Sequence, residues 1–260
     1  MEKHVVMFST GLSSAITLDL VQQKYGKENT VALLTDTKWE DEDNYRFANE
    51  VIEHLGANLE YRAEGRTPPE IWMLGYLVGP TGAECTRTLK RKQTQKFLKE
   101  HKGEDIVLHF GIGSHEEHRT YSLTNSYSSL GAECRFPLVD KPMANQEMVS
   151  LSQEKWGIKI PRMYHLGFSH ANCGGRCVKA GQSHYIRLML TWPERFKEMV
   201  ELEKAFQIKT GSDTTILRAK RNGVEVKLPL SELQAEYDNS LKGQIQWGYN
   251  WNETPCECVF

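Results

Sequence analysis

The first twenty-one residues contain an apolar run, a turn of small hydroxyl residues and a second apolar run with helical spacing. Val5 to Phe8 suit a buried strand, whereas Ile16, Leu20 and Val21 fall on one face of a helix. The turn between them, residues 9–14, reads Ser-Thr-Gly-Leu-Ser-Ser. Backbone N–H groups at a helix N-terminus and nearby hydroxyl groups bind anions, so this turn predicts a phosphate site. It lacks the Gly-Lys-Ser/Thr ending of a Walker loop.

The alternation of strands and helices continues after this turn. Residues 30–35 form a second apolar run that ends at Asp36, residues 47–55 have helical spacing, and residues 58–61 and 105–110 suit further strands. This order predicts a parallel sheet wrapped by helices, which is an α/β fold. Because sites in such sheets lie at the carboxyl ends of the strands, we expect residues 9–14, Asp36 and the end of a later strand around one crevice.

The remaining segments predict a helical extension. We expect a short helix at 68–78, a basic helix at 85–99, little regular structure at 114–143 beyond residues 136–138, and helices at 146–156, 179–190 and 194–206. Residues 214–218 and 224–228 flank Asn222-Gly223, which predicts a β-hairpin. We therefore divide the chain into a nucleotide-binding α/β domain at 1–178 and a helical extension with a hairpin and a cysteine-containing tail at 179–260.

The composition limits the class of protein and its compartment. The 260 residues are 39% hydrophobic and 25% charged, which allows one sizeable core. No apolar run reaches the length of a membrane span and no signal peptide pattern follows Met1, so we expect a cytoplasmic protein without a membrane partner. Six cysteines in a reducing compartment suggest thiols, metal ligands or redox groups. A net charge of −2 gives no sign of bulk nucleic-acid binding.

Five further blocks follow the serine turn in order along the chain. They are Thr35-Asp36-Thr37 with residues 40–45, residues 85–90, Gly111-Ile112 with Glu116, His118 and Arg119, residues 136–138, and residues 167–181. With the turn, they resemble the SGGxDS, DTGxExPxTxxF, CTRxLK and GIxxxExxR motifs of the phosphoadenosine phosphosulfate (PAPS) reductase family, a branch of the PP-loop N-type ATP pyrophosphatases. The last block resembles one found in PAPS-reductase-like proteins of phages and bacteria. In the turn, Thr10 and Ser13 replace the family's second-position glycine and its aspartate.

The resemblance implies a Rossmann-like parallel sheet of the adenine nucleotide alpha hydrolase type that binds ATP with Mg²⁺. Carried onto this chain, it implies that Asp36, Gly111 and Ile112 line the adenine and ribose and that Arg119 contacts phosphate. Two simpler interpretations stay open, namely that Asp36 caps a helix and that Arg119 is a solvated charge. The implied pyrophosphate ligands are Ser9, Thr10, Gly11, Leu12, Ser13 and Ser14.

The cysteines suggest a second centre. Cys173 and Cys177 lie four residues apart across a Gly-Gly bend, a spacing that zinc sites and iron–sulfur sites tolerate. Cys85 is the natural third ligand, because in related PP-loop thiolation enzymes three cysteines hold a 4Fe-4S cluster and leave one iron free to carry sulfur. Cys256 or Cys258 could supply a fourth ligand. Zinc, free thiols and a redox pair are the alternatives.

Cys85 has a second potential role. It precedes basic residues at the start of a predicted helix, which lowers a thiol pKa and suits a nucleophile or persulfide carrier. Among the histidines, an ordinary loop or surface position is the simplest interpretation. His170 alone stays a candidate ligand, because it lies three residues before Cys173.

The leading hypothesis is an ATP pyrophosphatase that adenylates an acceptor and then exchanges the adenylate for sulfur. The acceptor, a nucleotide or a nucleic acid, and the sulfur donor are not identified by the sequence, and a homodimer is left open. One alternative is thiol-dependent reduction of a sulfonucleotide by Cys258, because Glu257-Cys258 matches the first two letters of the ECGxH tail of PAPS reductases. Another is a nucleotide-binding regulatory protein without turnover.

Overall fold

A five-stranded parallel sheet forms the centre of the computed structural model, which describes residues 2–77 and 83–241. The strand order is β3-β2-β1-β4-β5, and every neighbouring pair is parallel. This confirms the predicted α/β, Rossmann-like fold. The strands are β1 (Lys3–Met7), β2 (Thr30–Asp36), β3 (Asn58–Ala63), β4 (Ile106–His109) and β5 (Glu133–Arg135).

Helices cover both faces of the sheet. No described helix is both long and apolar enough to cross a membrane. The α-helices are α1 (Leu12–Tyr25), α2 (Glu42–Leu55), α3 (Pro68–Trp72), α4 (Lys92–Glu100), α5 (Thr120–Ser128), α6 (Pro137–Asp140), α7 (Asn145–Ser150), α8 (Arg162–His165), α9 (Gln182–Thr191), α10 (Pro193–Thr210) and α11 (Leu233–Glu236). Short 3-10 turns span Ser114–Arg119, Asn172–Gly175 and Leu230–Glu232, and π-helical turns span Thr86–Arg91, Leu151–Lys155 and Tyr237–Leu241.

The apolar run of the first strand is buried because both faces of the sheet are covered. Successive strand side chains point to opposite faces. Val6 therefore packs in the larger hydrophobic cluster, with α1 and α2, whereas Val5 and Met7 pack in a smaller cluster with α4 and α5. A continuous apolar run is typical of a strand buried on both faces.

The strand order fixes where a ligand can bind. β1 pairs with β2 on one side and with β4 on the other, so the order of the strands reverses beside β1. Loops that leave β1 and β4 separate at this point and leave a crevice at the carboxyl ends of the strands. The serine turn follows β1, and residues 110–113 follow β4.

The expectation of little structure at 114–143 is wrong. This segment contains α5, α6 and the edge strand β5. The signal is weak because α5 buries only Leu123 and Tyr127, four residues apart, among polar residues of modest helix propensity. β5 is a three-residue edge strand, Glu-Cys-Arg, without apolar alternation.

The helical extension follows the prediction except at its boundaries. The helices expected at 179–190 and 194–206 are α9 and α10, and the one expected at 68–78 is α3, which ends at Trp72. The hairpin strands are β6 (Leu217–Arg221) and β7 (Val224–Leu228), so the predicted first strand was placed three residues too early. Asn222 and Gly223 both have positive φ, and a two-residue turn of this kind requires Arg221 to pair with Val224. The division at residue 178 stays a prediction.

Two histidines pair inside the sheet. Nδ1 of His4 lies 3.1 Å from Nε2 of His109, and the ring of His4 stacks on Tyr25 at 3.6 Å between centroids. Burial, as the largest influence, together with the neighbouring His4 and Arg135 lowers the pKa of His109 to about 3. The folded protein therefore holds His109 neutral.

We predict that the free energy of unfolding falls as the pH is lowered from about 6.5 towards about 3. The unfolded chain binds a proton at residue 109 below the ordinary pKa of 6.5, whereas the folded chain does not. This linkage makes the folded state about 2 kcal/mol less stable at pH 5 than at pH 7.5. Urea denaturation at the two pH values measures the difference. The His109→Asn variant should lose most of this dependence, and an unchanged dependence would contradict the assignment.

Candidate functional site

The serine turn forms a tight loop that opens α1. Gly11 is the N-cap residue, and its carbonyl accepts a 2.8 Å hydrogen bond from the Ser14 hydroxyl and a 3.2 Å bond from the N–H of Ala15. The same Ser14 hydroxyl accepts hydrogen bonds from the N–H of Ser9 at 3.1 Å and from its hydroxyl at 3.3 Å. Ser14 is buried. Its hydroxyl therefore fixes the shape of the loop.

Ser13 and Thr10, the two residues that depart from the family motif, differ in their surroundings. The Ser13 hydroxyl makes no hydrogen bond within residues 2–77 and 83–241, and Ser13 lines the cavity above the loop. Thr10 is buried at φ 63°, in the left-handed region that favours the glycine of the motif. Its hydroxyl has no hydrogen-bond partner among the described residues. Ser13 is thus available to a ligand, whereas Thr10 is a strained residue behind the loop.

Gly111 allows the loop after β4 to approach the serine turn. A Cβ atom at this position would lie 2.9 Å from the carbonyl carbon of Ser13 and 2.9 Å from the nitrogen of Ser14. Backbone atoms cannot move aside as a flexible side chain can. Position 111 therefore has a packing reason to be glycine, which the sequence motif alone does not reveal.

A cavity of about 760 Å³, including its open mouth, lies above the serine turn. It brings together five of the six predicted pyrophosphate ligands with Gly111 and Ile112, whereas Thr10 does not line it. The lining residues are Ser9, Gly11, Leu12, Ser13, Ser14, Gly111, Ile112, His115, Glu116, Asn145, Met148, Tyr164, Ser169, His170, Ala171 and Asn172.

Tyr164 is a lining residue that the sequence analysis missed. Its hydroxyl accepts a hydrogen bond from the N–H of Leu12, in the serine turn. Burial raises the pKa of Tyr164 to about 12, and the hydrogen bond from Leu12 offsets part of that rise. The neutral phenol is thus the hydrogen-bond acceptor for one N–H group of the turn. Tyr164 comes from α8, about 150 residues from the turn, so no local pattern could indicate it.

Asp36 and Arg119 lie near the predicted site but do not line the cavity. The Asp36 carboxylate accepts hydrogen bonds from the hydroxyls of Tyr45 at 2.6 Å and Tyr61 at 2.7 Å. Asp36 does not cap α2, because Asp41 does so by accepting a bond from the N–H of Asp43. Arg119 is buried and pairs with Glu116, which does line the cavity. The solvated-charge interpretation of Arg119 is wrong.

Cys173 lies in a left-handed turn together with the two glycines that follow it. Cys173, Gly174 and Gly175 have φ values of 56°, 56° and 85°. A non-glycine residue in this region is strained and persists only where its surroundings hold it. The N–H of Cys173 donates to the buried carboxylate of Glu40, and the Ala171 carbonyl accepts a 2.8 Å bond from the Asn44 side chain.

Arginines complete the anchoring of the turn. Arg176 lies over the Trp39 ring at 3.7 Å and donates to the Cys173 carbonyl at 3.3 Å. Arg195 donates to the Gly174 carbonyl at 3.1 Å and to the fully buried Asp41 at 2.7 Å. Asp41 also binds Arg162 through two bonds of 2.8 Å. These arginine bonds help hold the pKa of Asp41 below its usual value, despite the opposing effect of burial.

The three cysteines predicted to act together line one small cavity. Cys85, Cys173 and Cys177 are buried and face a space of about 350 Å³ with Lys90 and Trp72. Burial raises the pKa of Cys85 to about 11, and the proximity of Cys173 adds to the rise. The expectation of a lowered thiol pKa is therefore wrong, because desolvation outweighs the nearby cation Lys90. We call this space the thiol cavity and the one above the serine turn the phosphate cavity.

The thiol cavity does not distinguish a cluster from a single metal ion. Within the described residues, no three His, Cys, Asp or Glu side chains are grouped closely enough to hold a metal ion. This finding supports neither zinc nor a 4Fe-4S cluster. The cluster stays a prediction. Cys256 and Cys258, the proposed fourth ligands and the proposed reductive nucleophile, lie outside the described residues.

Two histidines, His115 and His170, line the phosphate cavity, and none of the described histidines lines the thiol cavity. His170 lines the phosphate cavity, and its ring stacks on His184 at 4.6 Å between centroids. Nε2 of His184 lies 3.0 Å from the Gly175 carbonyl. His170 is thus beside the serine turn rather than among the thiols. Its role as a metal ligand stays a prediction.

One family model matches just under half of the chain. Residues 3–128 match the family model of the phosphoadenosine phosphosulfate reductase domain, whereas the blocks at 136–138 and 167–181 lie beyond the match. The chain is similar to PAPS reductase from Candida auris in a phosphate complex, with 14% identity, a TM-score of 0.44 and coverage of 62% of this chain and 75% of that one.

A second similar structure is a predicted subunit of tRNA methyltransferase from Methanocaldococcus jannaschii. It has 15% identity and a TM-score of 0.39, and the match covers 58% of this chain and 73% of that one. Both TM-scores are too low to support an argument about activity. No curated protein has a significant match to the chain.

We predict that Gly111→Ala destabilises the protein by about 1 to 3 kcal/mol, because its methyl group would overlap the backbone of Ser13 and Ser14. Gly113→Ala is the matched control. A Cβ atom at Gly113 meets only the ring of His115 at 3.0 Å, a half-exposed side chain that can rotate away. Urea denaturation of the two variants measures the difference. Equal stability of the two would contradict the close approach of the loops.

Proposed function

We propose, from the match of residues 3–128 to the family model of the phosphoadenosine phosphosulfate reductase domain, that the chain is an enzyme that binds ATP in the phosphate cavity. It transfers the adenylyl group to an oxygen of an acceptor, a nucleotide or a nucleic acid, and then replaces that oxygen by sulfur. The observation that carries this proposal is that one stretch of chain lines both cavities, with residues 169–172 at the phosphate cavity and residues 172, 173, 177 and 178 at the thiol cavity.

The serine turn is proposed to bind the pyrophosphate that leaves. Its N–H groups at the start of α1 and the Ser13 hydroxyl supply hydrogen bonds, and such preorganised donors stabilise charge that develops on a leaving group. The Tyr164 hydroxyl, which accepts from Leu12, would be displaced by a phosphate oxygen and could then donate to it. Glu116 is the carboxylate that lines the cavity and would help hold Mg²⁺ together with the phosphates.

The first step forms a bond between the acceptor oxygen and the α-phosphorus of ATP. The bond from that phosphorus to the bridging oxygen breaks, pyrophosphate leaves with its magnesium ion, and the acceptor's proton passes to water. In the second step hydrosulfide attacks the carbon that carries the adenylate. A carbon–sulfur bond forms, the carbon–oxygen bond breaks and AMP leaves, so no oxidant or reductant is consumed.

The thiol cavity is proposed to supply the sulfur. Cys85, Cys173 and Cys177 would hold a 4Fe-4S cluster, which would supply sulfur at the sulfide level. Two carboxylates hold the thiols in position. Glu40 and Asp41 keep residues 171–174 fixed, so that the thiols stay beside the phosphate cavity.

The nucleotide step is tested by calorimetric titration with AMP-PNP and Mg²⁺. Ser13→Ala should weaken binding by about tenfold or more, because a hydrogen bond to a charged group is lost, and should leave the free energy of unfolding nearly unchanged. Ser14→Ala is the matched variant. It should also lower the free energy of unfolding, because three hydrogen bonds inside the loop depend on its hydroxyl.

Three other results would argue against the proposal. Absence of AMP-PNP binding would contradict the nucleotide step. Binding of PAPS but not of AMP-PNP would favour reduction of a sulfonucleotide. Anaerobic protein that binds AMP-PNP but contains no iron and no acid-labile sulfide would contradict the role of the thiol cavity in sulfur transfer.

A further inference from the structure

Among the residues that the structure describes, Asn172 is the one that lines both the phosphate cavity and the thiol cavity. Residues 169–171 line only the first, whereas Cys173, Cys177 and Val178 line only the second. Asn172 is buried. The two cavities therefore adjoin at residue 172. The atoms that lie between them are those of Asn172 and its immediate neighbours.

The backbone on both sides of Asn172 is held in place. The carbonyl of Ala171 accepts a 2.8 Å hydrogen bond from Asn44, and the N–H of Cys173 donates to Glu40. Glu40 lies in the loop after β2 and Asn44 in α2, and both bonds are buried or partly buried. Because the flanking backbone is fixed, a substitution at residue 172 changes the side chain and leaves the path of the backbone in place.

We propose that the side chain of Asn172 separates the two cavities and that the adenylated acceptor meets the thiol cavity past this side chain. This inference rests on the proposed function and deepens it. It assigns Asn172 as a positioning residue and places the reacting carbon of the acceptor at the junction of the cavities. An acceptor is adenylated on one side of residue 172 and receives sulfur from the other side without leaving the protein.

The chain offers an internal control for access to the thiols. Cys134 is half-buried in β5, at the far edge of the sheet, and does not line the thiol cavity. Burial raises the pKa of Cys134 to about 11, the same value as for Cys85. A change in the labelling of Cys134 therefore reports loosening of the fold away from the thiol cavity.

The test is the rate of iodoacetamide labelling at each cysteine, measured by peptide mass spectrometry with and without AMP-PNP and Mg²⁺. We expect Asn172→Ala to raise labelling of Cys85, Cys173 and Cys177 by about tenfold, because the phosphate cavity becomes a second route to the thiols. AMP-PNP should abolish that increase by filling the route. Labelling of Cys134 should stay at the wild-type rate.

Two variants control for loosening of the fold. Asn172→Gln keeps an amide that can fill the junction and should label like the wild type. Asn145→Ala changes a residue that lines only the phosphate cavity and should leave thiol labelling unchanged. In preparations that contain iron, the same comparison is made on the rate at which a ferrous chelator removes it.

Several outcomes overturn the inference. Wild-type labelling of Asn172→Ala would show that the side chain does not separate the cavities. An increase that AMP-PNP leaves unchanged, or one shared by Cys134, would show general loosening instead. If wild-type protein binds AMP-PNP in calorimetry, these results contradict only the role of Asn172. If it does not bind, the proposed function itself fails.

Discussion

The site depends on two buried carboxylates that follow β2. Glu40 accepts the N–H of Cys173, and Asp41 binds the guanidinium groups of Arg162 and Arg195. Burying a carboxylate costs desolvation free energy unless hydrogen bonds and opposite charges compensate for it. Removing these partners would leave the desolvation penalty uncompensated. These carboxylates therefore tie the loop after β2 to a segment about 130 residues away. The left-handed turn at Cys173 is held by these bonds and the arginine contacts.

The order of the strands determines where the serine turn and the loop after β4 lie. β1 and β4 are neighbours, and Gly111 lets the loop after β4 contact the backbone of the serine turn. The phosphate cavity opens at that contact, and the segment fixed by Glu40 and Asp41 forms its opposite wall. The serine turn and three thiols are thereby brought to adjoining spaces. This arrangement suits a reaction in which one acceptor is activated and then modified without being released.

The sequence was sufficient for the features that depend on local pattern. Apolar runs predicted the buried strands β1, β2 and β4, and the hydroxyl-rich turn predicted the phosphate cavity. The family motif did not distinguish the roles of Ser13 and Ser14. Their roles differ because the hydroxyl of Ser14 points into the loop, whereas that of Ser13 makes no bond within the described chain. That distinction depends on side-chain direction, which a motif does not encode.

Features that depend on distant contacts escaped prediction. Tyr164, Arg162 and Arg195 reach the site from helices far along the chain, and no spacing in a single sequence indicates such pairs. The acidity of Cys85 was predicted in the wrong direction, because nearby cations are visible in the sequence whereas burial is not. β5 was missed because an edge strand of three residues needs no apolar pattern.

The most direct measurement of the central claim is a crystal structure with AMP-PNP and Mg²⁺ bound. The account predicts that the β- and γ-phosphates contact the N–H groups of residues 11–14 and the Ser13 hydroxyl. It also predicts that the α-phosphate faces Asn172, with the thiols of Cys173 and Cys177 behind that residue. A nucleotide bound elsewhere, or an α-phosphate directed away from residues 169–172, would contradict it.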